Sequence, residues 1–547
     1  MPDRDNDTID TLSIAYEQMA PSWQIIHDLS GGTRAMRAAG ERWLPKEPAE
    51  SSQAYSSRVN RSFLFNAFSN TVERIKGMPF SSPVVINGEI ADERLEKLEK
   101  DVDKTRRSLT ALSCELFGSG LEYGFTHVLI DYPSMERGAT LAVEREADAR
   151  PCFIEITPPD MIGWDSITLP DGTKELTRIR FKREAVRRVG MYKEEAFDQI
   201  WVWTSPRFEQ ERQAQALMAA ARDRFEANLV GQQETEDDDG SVRPFEPSPE
   251  LLEEINQVLS ETDINNMPEG VIEVWERSRE EEDSEYQMIE YRNHSYKGIP
   301  LVTFYTKRTG YMTGEPPLRD LADKNVEYWQ SSSDQRNILR FTRFAMVFFS
   351  GLSDDEISKP MEVGPNRFFR AKDPQASMKF VEHTGSAIKS GEDDLHRIKE
   401  EMQVLGMIPL IRRSGGVTAT ERAIDEGARR SDAERWVETL EDALVEMYKI
   451  AAIWLDVELP DDFTIDINDD FGFDLREGGE IEQLFKMWEG GAISHTTLLE
   501  ELKTRNVLSE LLDIDSEIRS IEQSPPPNSR EEVTPDEIDP PNDDPEE

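Results

Sequence analysis

The period of the apolar residues changes twice along this chain, and that change constrains the fold more than any single motif. Up to about residue 118 the apolar positions step by threes and fours, from 125 to 305 they form short β-branched and aromatic runs, and from 317 the helical step returns. A 3.6-residue period buries one stripe of a helix and a period of two buries one face of a strand. Blocks of each kind in one chain predict an α+β architecture, mainly helical with a mixed, β-rich part. Helices are expected over 9–28, 51–76 and 91–118. In the second, Tyr55, Val59, Phe63, Ala67, Val72 and Ile75 share a face before Gly77-x-Pro79 supplies a stop. In the third, Leu95, Leu98, Val102, Leu109, Leu112 and Leu116 do so, with one step of seven across Thr105.

The strand-like runs are Phe125–Asp131, Cys152–Thr157, Leu176–Lys182, Gln199–Thr204, Val271–Glu276 and Leu301–Tyr305. Their spacing is irregular and no βαβ alternation appears, which favours a mixed sheet over a doubly wound dinucleotide-binding layer. A charged insertion, 206–262, interrupts them: helix-like 206–229, an acidic run Glu234–Gly240 read as a solvated loop, then helix-like 248–260.

In the second half, Leu318, Leu321, Ala322, Asn325, Val326 and Trp329 lie on one face of a helix expected over 317–341. At ~1.5 Å per residue it would be roughly 37 Å long. Ser331-Ser332-Ser333 weaken it, because serines compete with the helical backbone. An irregular stretch, 342–375, carries turn signals at Gly351, Pro360, Gly364-Pro365 and Asp373-Pro374. Leu395, Ile398, Met402 and Leu405 then mark a helix over about 384–405. A basic loop with Arg412 and Arg413 leads to Thr418-x-x-Glu421, which has the form of a capping box. The long helix it opens carries the stripe Ala433, Trp436, Leu440, Leu444, Met447, Ala451, Trp454. Short helices are expected at 480–489, 494–504 and near 508–522, and a Pro- and acid-rich disordered tail over 524–547.

Charge narrows the function. The 547 residues carry 110 acids and 63 bases, a net −47. Residues 521–547 hold ten acids and one arginine, so 1 − 10 leaves −9 there and −38 in the other 520; the excess belongs to the body of the chain. Such a chain does not grip nucleic acid by blanket phosphate neutralisation, nor bind anionic membranes peripherally. Met1-Pro2-Asp3-Arg4-Asp5 lacks the features of a signal peptide, and the dense apolar run Phe344–Phe349 is far too short to span a bilayer. A soluble, non-secreted chain with no membrane partner is expected. Cys114 and Cys152 cannot make a disulfide framework and read as small buried hydrophobes.

Catalytic motifs are missing. There is no P-loop, no H-E-x-x-H and no G-x-S-x-G; Gly118-Ser119-Gly120 with Gly124 misses the dinucleotide spacing, and the six histidines are scattered. No cofactor and no metal are expected. Asp466, Asn468, Asp470, Asp474 and Glu477 take five positions of an EF-hand-like loop, but Phe471 occupies the place that requires glycine. The alternation of Phe463, Ile465 and Ile467 suits a strand there instead. Acid pairs keep two alternatives open: a metal-dependent hydrolase or nuclease using Asp466 to Glu477, and an acidic interaction scaffold.

The order of these elements, with several local phrases, resembles the tailed-bacteriophage portal proteins. Ala35–Pro45 looks like an opening phrase of one portal family, and Tyr55–Pro79, with Phe63-Leu64-Phe65-Asn66, like the helix after it. Pro317–Ala322, Tyr328–Asp334, Phe380–Gly385 and Met402–Gly406 are similar to its central pieces, so the likeness spans about 30–455. It implies a non-enzymatic ring, usually of twelve subunits, at one capsid vertex of the virion, assembled in the host cytoplasm. Double-stranded DNA passes through such a ring. Its partners would be further copies of itself, the terminase motor, the head–tail adaptor, and the major capsid and scaffolding proteins. By that likeness 1–316 would be the wing, 317–341 the stem helix, 342–375 the clip, 376–405 the second stem helix, 406–420 the tunnel loop and 421–523 inner wing and crown. Phe344, Met346, Phe348 and Phe349 would make clip contacts between subunits, the alternative being a strand buried within one chain. Arg412 and Arg413 would ring the channel and touch phosphates without reading bases, the alternative being two solvated loop arginines.

Overall fold

The computed structural model describes residues 8–133, 147–169, 171–232, 247–260, 269–280, 284–343, 346–350, 377–381, 386–406, 419–468, 484–488 and 490–504, with 514 and 519. Its contacts divide the chain into two units, residues 1–469 and 470–547. The first is α+β, as the change of period predicts.

Helix α1, Ile14–Ser30, starts where the Ser13 hydroxyl accepts the Tyr16 amide at 3.2 Å, five residues later than expected. It buries Trp23, Ile25, Ile26 and Leu29, and α2, Gly32–Ala39, follows. The helix expected over 51–76 is two: α3, Ser52–Arg61, and α4, Ala67–Lys76. Asn66 caps the second by accepting the Ser69 amide (3.1 Å). The backbone groups freed between them are taken by distant side chains. Arg37 donates twice to the Ser62 carbonyl (3.0 and 2.8 Å), and the Thr33 hydroxyl accepts the Leu64 amide (3.2 Å).

The third expected helix is also two, α5 (Glu93–Lys100) and α6 (Leu109–Tyr123). The link turns through positive φ at Lys104 and Arg106 and is held by the Asp101 and Asp103 carboxylates, which accept the Arg106 and Thr105 amides at 2.8 Å. Gly124 ends α6 at φ 89, where a Cβ would lie 2.2 Å from the Glu315 carbonyl oxygen, so only glycine fits.

Two sheets carry the middle of the chain. One has the order β3-β2-β9, from Cys152–Ile156, Phe125–Asp131 and Leu301–Tyr305. The other is a meander of β4 (Met161–Thr168), β5 (Lys174–Arg188), β6 (Glu194–Thr204), β7 (Gly270–Ser278) and β8 (Gln287–His294). Every pairing among the described strands is antiparallel, which corrects the expectation of a mixed sheet. Short turns at Gly172 and Gly190 join β4 to β5 and β5 to β6, and a two- to five-residue turn permits only antiparallel neighbours. Strands β4 and β8 have no counterpart among the expected runs. Leu129, Ile156, Met161, Ile179, Phe181, Trp203 and Ile272 make the shared core. The insertion forms helices α7, Pro206–Gln232, and α8, Pro249–Ser260, close to expectation; the acidic run 234–240 lies outside the described residues.

After the small pair β10 (Arg308–Gly310) and β11 (Thr313–Gly314) come helix α9, Arg319–Arg343, strand β12, Met346–Ser350, strand β13, Ser377–Val381, helix α10, Ser386–Leu405, and helix α11, Ala419–Leu455. Strand β13 lies within the stretch 376–405, and helix α10 starts at Ser386, close to the 384 expected from its apolar spacing. The α11 end packs on the smaller sheet: Trp454 donates to the Ile130 carbonyl (3.0 Å) and Tyr448 meets the Phe153 ring at 5.8 Å. Strand β14, Thr464–Asp466, pairs with β1, Val85–Asn87, in keeping with the strand read from Phe463, Ile465 and Ile467. In the second unit, a helical segment 484–488 and helix α12, His495–Thr504, bring the Trp488 and His495 rings to 5.4 Å. No helix among the described residues is long and apolar enough to cross a membrane.

Candidate functional site

The antiparallel pair α9 and α10, joined through the β12–β13 hairpin, is the feature a functional reading must explain. Its register is set by polar contacts along the whole interface. Lys324 pairs with Glu401 at 2.8 Å, Ser331 donates to Asp394 at 2.8 Å, and Gln335 donates to the Ile388 carbonyl at 2.8 Å. Hydrogen bonds from Arg397 and Ser331 hold the Asp394 carboxyl below its ordinary range, and Lys324 followed by Arg397 does the same for Glu401. The serine run does not break α9. Ser331 bonds across to α10, and the buried Ser333 hydroxyl accepts from Ser62 at 2.8 Å, so the hydroxyls serve tertiary partners.

The base of α9 is core. Leu318, Leu321, Ala322, Asn325, Val326 and Trp329 are all buried, the stripe expected from sequence. Asn325 anchors it to the break between α3 and α4, accepting the Phe68 amide (2.9 Å) and donating to the Phe65 carbonyl (2.8 Å). Beyond Gln335 the helix emerges: Arg336, Ile338 and Arg340 are exposed. Helix α10 buries Ile398, Met402 and Gln403 on one face near its C-terminal end and exposes Lys389 and Glu392 near its N-terminal end. Lys399 sits 5.0 Å from the Phe65 ring centre and 5.3 Å from that of Tyr328.

In chain order β12 follows α9 and β13 precedes α10. Met346, Phe348 and Phe349 lie on β12 opposite Val381, Lys379 and Met378, and β12 pairs with no other described strand. Phe344 lies outside the described residues, as do 351–376 of the expected clip, Arg412 and Arg413 of the expected tunnel loop, and the tail 524–547. Of the EF-hand-like set, Asp466 accepts from Asn87 (2.7 Å) and Asn468 donates to Ser81 (2.9 Å), while Asp470, Asp474 and Glu477 lie outside the described residues. No group of His, Cys, Asp or Glu suited to a metal occurs among the described residues.

A basic spot that sequence reasoning missed lies where α9 leaves the core. Arg58, Arg61, Arg336 and Arg340 surround a recess of about 650 Å³ with Ser62 and Ser333 on its wall. Arg58 is buried and paired with Glu50 at 2.8 Å; Arg61, Arg336 and Arg340 have no carboxylate within ion-pair distance among the described residues. Their spacing, i to i+3 on α3 and i to i+4 on α9, was the available signal.

Residues 317–455, from the start of α9 to the end of α11, match the family model described as "Domain of unknown function (DUF4055)". No curated protein matches the chain. Among solved structures, the chain is similar to one in the virion of a native gene transfer agent (GTA) particle, at 10% identity and a TM-score of 0.36, covering 87% of this chain and 98% of that one. It is also similar to a chain in the neck of an empty GTA particle computed with C6 symmetry (9% identity, TM-score 0.39, 80% and 89% covered). A third similar chain belongs to the neck of a native GTA particle computed with C12 symmetry (10% identity, TM-score 0.35, 86% and 99% covered).

Proposed function

We propose that this chain is the subunit of a portal ring, a homo-oligomer of about twelve copies at one vertex of a phage-type capsid through which double-stranded DNA is packaged and ejected. The observation that carries the reading is the antiparallel α9–α10 pair, buried at its base and emerging at its outer end, with a two-stranded hairpin as its tip. An isolated two-stranded hairpin is marginal in water. A hairpin of sequence Met-Val-Phe-Phe, with no third described strand beside it, gains its missing neighbours when copies stand side by side around an axis. In this reading α9 and α10 are the stem, β12 and β13 the clip root that meets terminase and adaptor, and α11 the inner wing. Arg412 and Arg413 then add a ring of positive charge to an acidic conduit, touching phosphates without holding them. The chain carries no catalysis; the motor is a separate ATPase.

Mass photometry and negative-stain microscopy of the purified chain test this directly. Closed rings near a dozen copies are expected, and a monomer at every concentration and salt would overturn the proposal. An Arg412→Glu/Arg413→Glu variant should assemble as the parent does yet package DNA poorly; normal packaging would remove the tunnel-loop role alone.

A further inference from the structure

Arg61, Arg336 and Arg340 line one recess of about 650 Å³ where the end of α3 meets α9, and all three are exposed. Neutral groups hold two of them in place. Arg61 donates from Nε to the Ser57 carbonyl (2.7 Å). Arg336 donates to the Arg61 carbonyl (3.5 Å), with its guanidinium 5.9 Å from the centre of the Phe63 ring. A guanidinium has five N–H donors, so most of each fork is left for a ligand. The Asn337 amide on the same wall has no hydrogen-bond partner among the described residues.

The positive charge survives a count of its neighbours. Glu50, Asp334 and Glu47 act on Arg58, and Lys46 acts in turn on Glu50. Arg58, Arg61, Arg336, Arg340 and Lys46 stand against those three acids, so 5 − 3 leaves +2 in a chain of net −47. Arg61, Arg336 and Arg340 meet no carboxylate within ion-pair distance among the described residues, so these three forks carry the excess. Like charges gathered around one recess repel, and an anion entering it relieves that repulsion.

The lining selects among anions. Leu339 is its one apolar residue among the described residues, whereas a protein partner's interface is built around an apolar centre. Arginine forks beside a free side-chain amide are instead the groups that meet backbone phosphates. Three cations suit a few adjacent phosphates and not a long stripe, which agrees with the acidity of the rest of the chain.

We propose that Arg61, Arg336 and Arg340, with the Asn337 amide, hold the phosphate backbone of double-stranded DNA where α9 leaves the core. The contact is local and independent of base sequence, and it is separate from the Arg412–Arg413 loop. It rests on the portal reading for the identity of the polymer.

Fluorescence anisotropy of a short labelled duplex with the full-length chain tests it. Arg336→Gln/Arg340→Gln is compared with the parent and with Arg412→Glu/Arg413→Glu across a salt series from about 0.05 to 0.2 M. The recess variant, unchanged in thermal melt because both side chains are exposed, should bind about tenfold or more weakly at the low-salt end. Its plot of log affinity against log salt should be shallower by about two for each copy engaged, one for each phosphate contact removed. Affinity and slope unchanged in that variant, with rings still forming, would overturn this contact and leave the portal reading standing. A loss of DNA binding in the variant of a chain that stays monomeric would keep the contact and overturn the ring. A glutamate-rich peptide that binds through Arg336 and Arg340 while the duplex does not would overturn the assignment to phosphate.

Discussion

Asn325 has no exposed surface, and both ends of its amide are used, on the Phe68 amide and the Phe65 carbonyl. A buried polar side chain that satisfies two backbone groups at a helix break is worth about 1–3 kcal/mol, because its removal strands both partners. The same logic, reversed, governs two buried histidines. His127 lies within hydrogen-bond distance of the Thr303 hydroxyl (2.9 Å) and His294 of the Thr204 carbonyl (2.9 Å). Burial pushes His127 down to about 3 and His294 down to about 4 from 6.5. The folded values lie below the unfolded one, so the unfolded chain takes up protons first as pH falls. Their stabilising effect is complete above about pH 6.5 and is lost as pH falls from there toward 4 and then 3. At pH 5 each would cost up to about 2 kcal/mol relative to pH 7. Asp131 and Glu155, pushed up by burial, run the other way, so the informative comparison is between variant and parent. A His294→Gln variant should lose a visible part of the parent's drop in urea midpoint between pH 7 and pH 5. An identical drop in both would show that this histidine is not held neutral.

At the scale of elements, the α9–α10 pair depends on how closely its outer ends approach. Gly391 of α10 faces Gln335 of α9, and a Cβ there would lie 2.0 Å from the Gln335 amide oxygen. Alanine would gain roughly 1 kcal/mol of helix propensity and lose roughly 1 kcal/mol with the Gln335–Ile388 bond, so Gly391→Ala should be nearly neutral. Gly391→Leu should not be, since the extra atoms must part the helices. Amide exchange should rise across 336–343 and 386–394 while the level of Lys324 and Glu401 stays protected; uniform protection would show that the ends do not touch in solution. The apolar stripe of α9 and the stripe of α11 were legible because long helices repeat their period many times. The breaks at 62–66 and 101–108 were not, because the groups that satisfy the first of them come from Arg37, Thr33 and Asn325. The serines of α9 misled for a related reason: their partners, Asp394 and Ser62, are distant in sequence. Strand β8 was hidden because Met288, Ile289 and Tyr291 do not alternate, and all three are exposed. Strand β13 could not be paired with β12 by inspection, since 26 residues, 351–376, separate them. The helices α9 and α10 were thus readable, and β12 only as an apolar run.

For the whole molecule, the decisive quantity is the charge that copies bring to one another. Each carries −47, of which −38 lies in its first 520 residues, so the proposed assembly would be opposed by repulsion between bodies and not only between tails. That repulsion reaches over a Debye length, about 30 Å at 0.01 M ionic strength and about 10 Å at 0.1 M. Apolar contacts between copies would act at van der Waals range. Salt screens the first far more than it weakens the second, and apolar burial persists as ionic strength rises. Assembly should therefore strengthen with salt, with the half-assembly concentration falling by about tenfold or more between 0.01 M and 0.2 M sodium chloride. Mass photometry across that series reads it. A half-assembly concentration that rises with salt instead would mean that ion pairs hold the copies together and that apolar contact is secondary. The same acidity bears on DNA. If the chain lines a conduit as proposed, a wall that repels phosphate would not bind the polymer tightly, and passage of DNA would be served by that weakness.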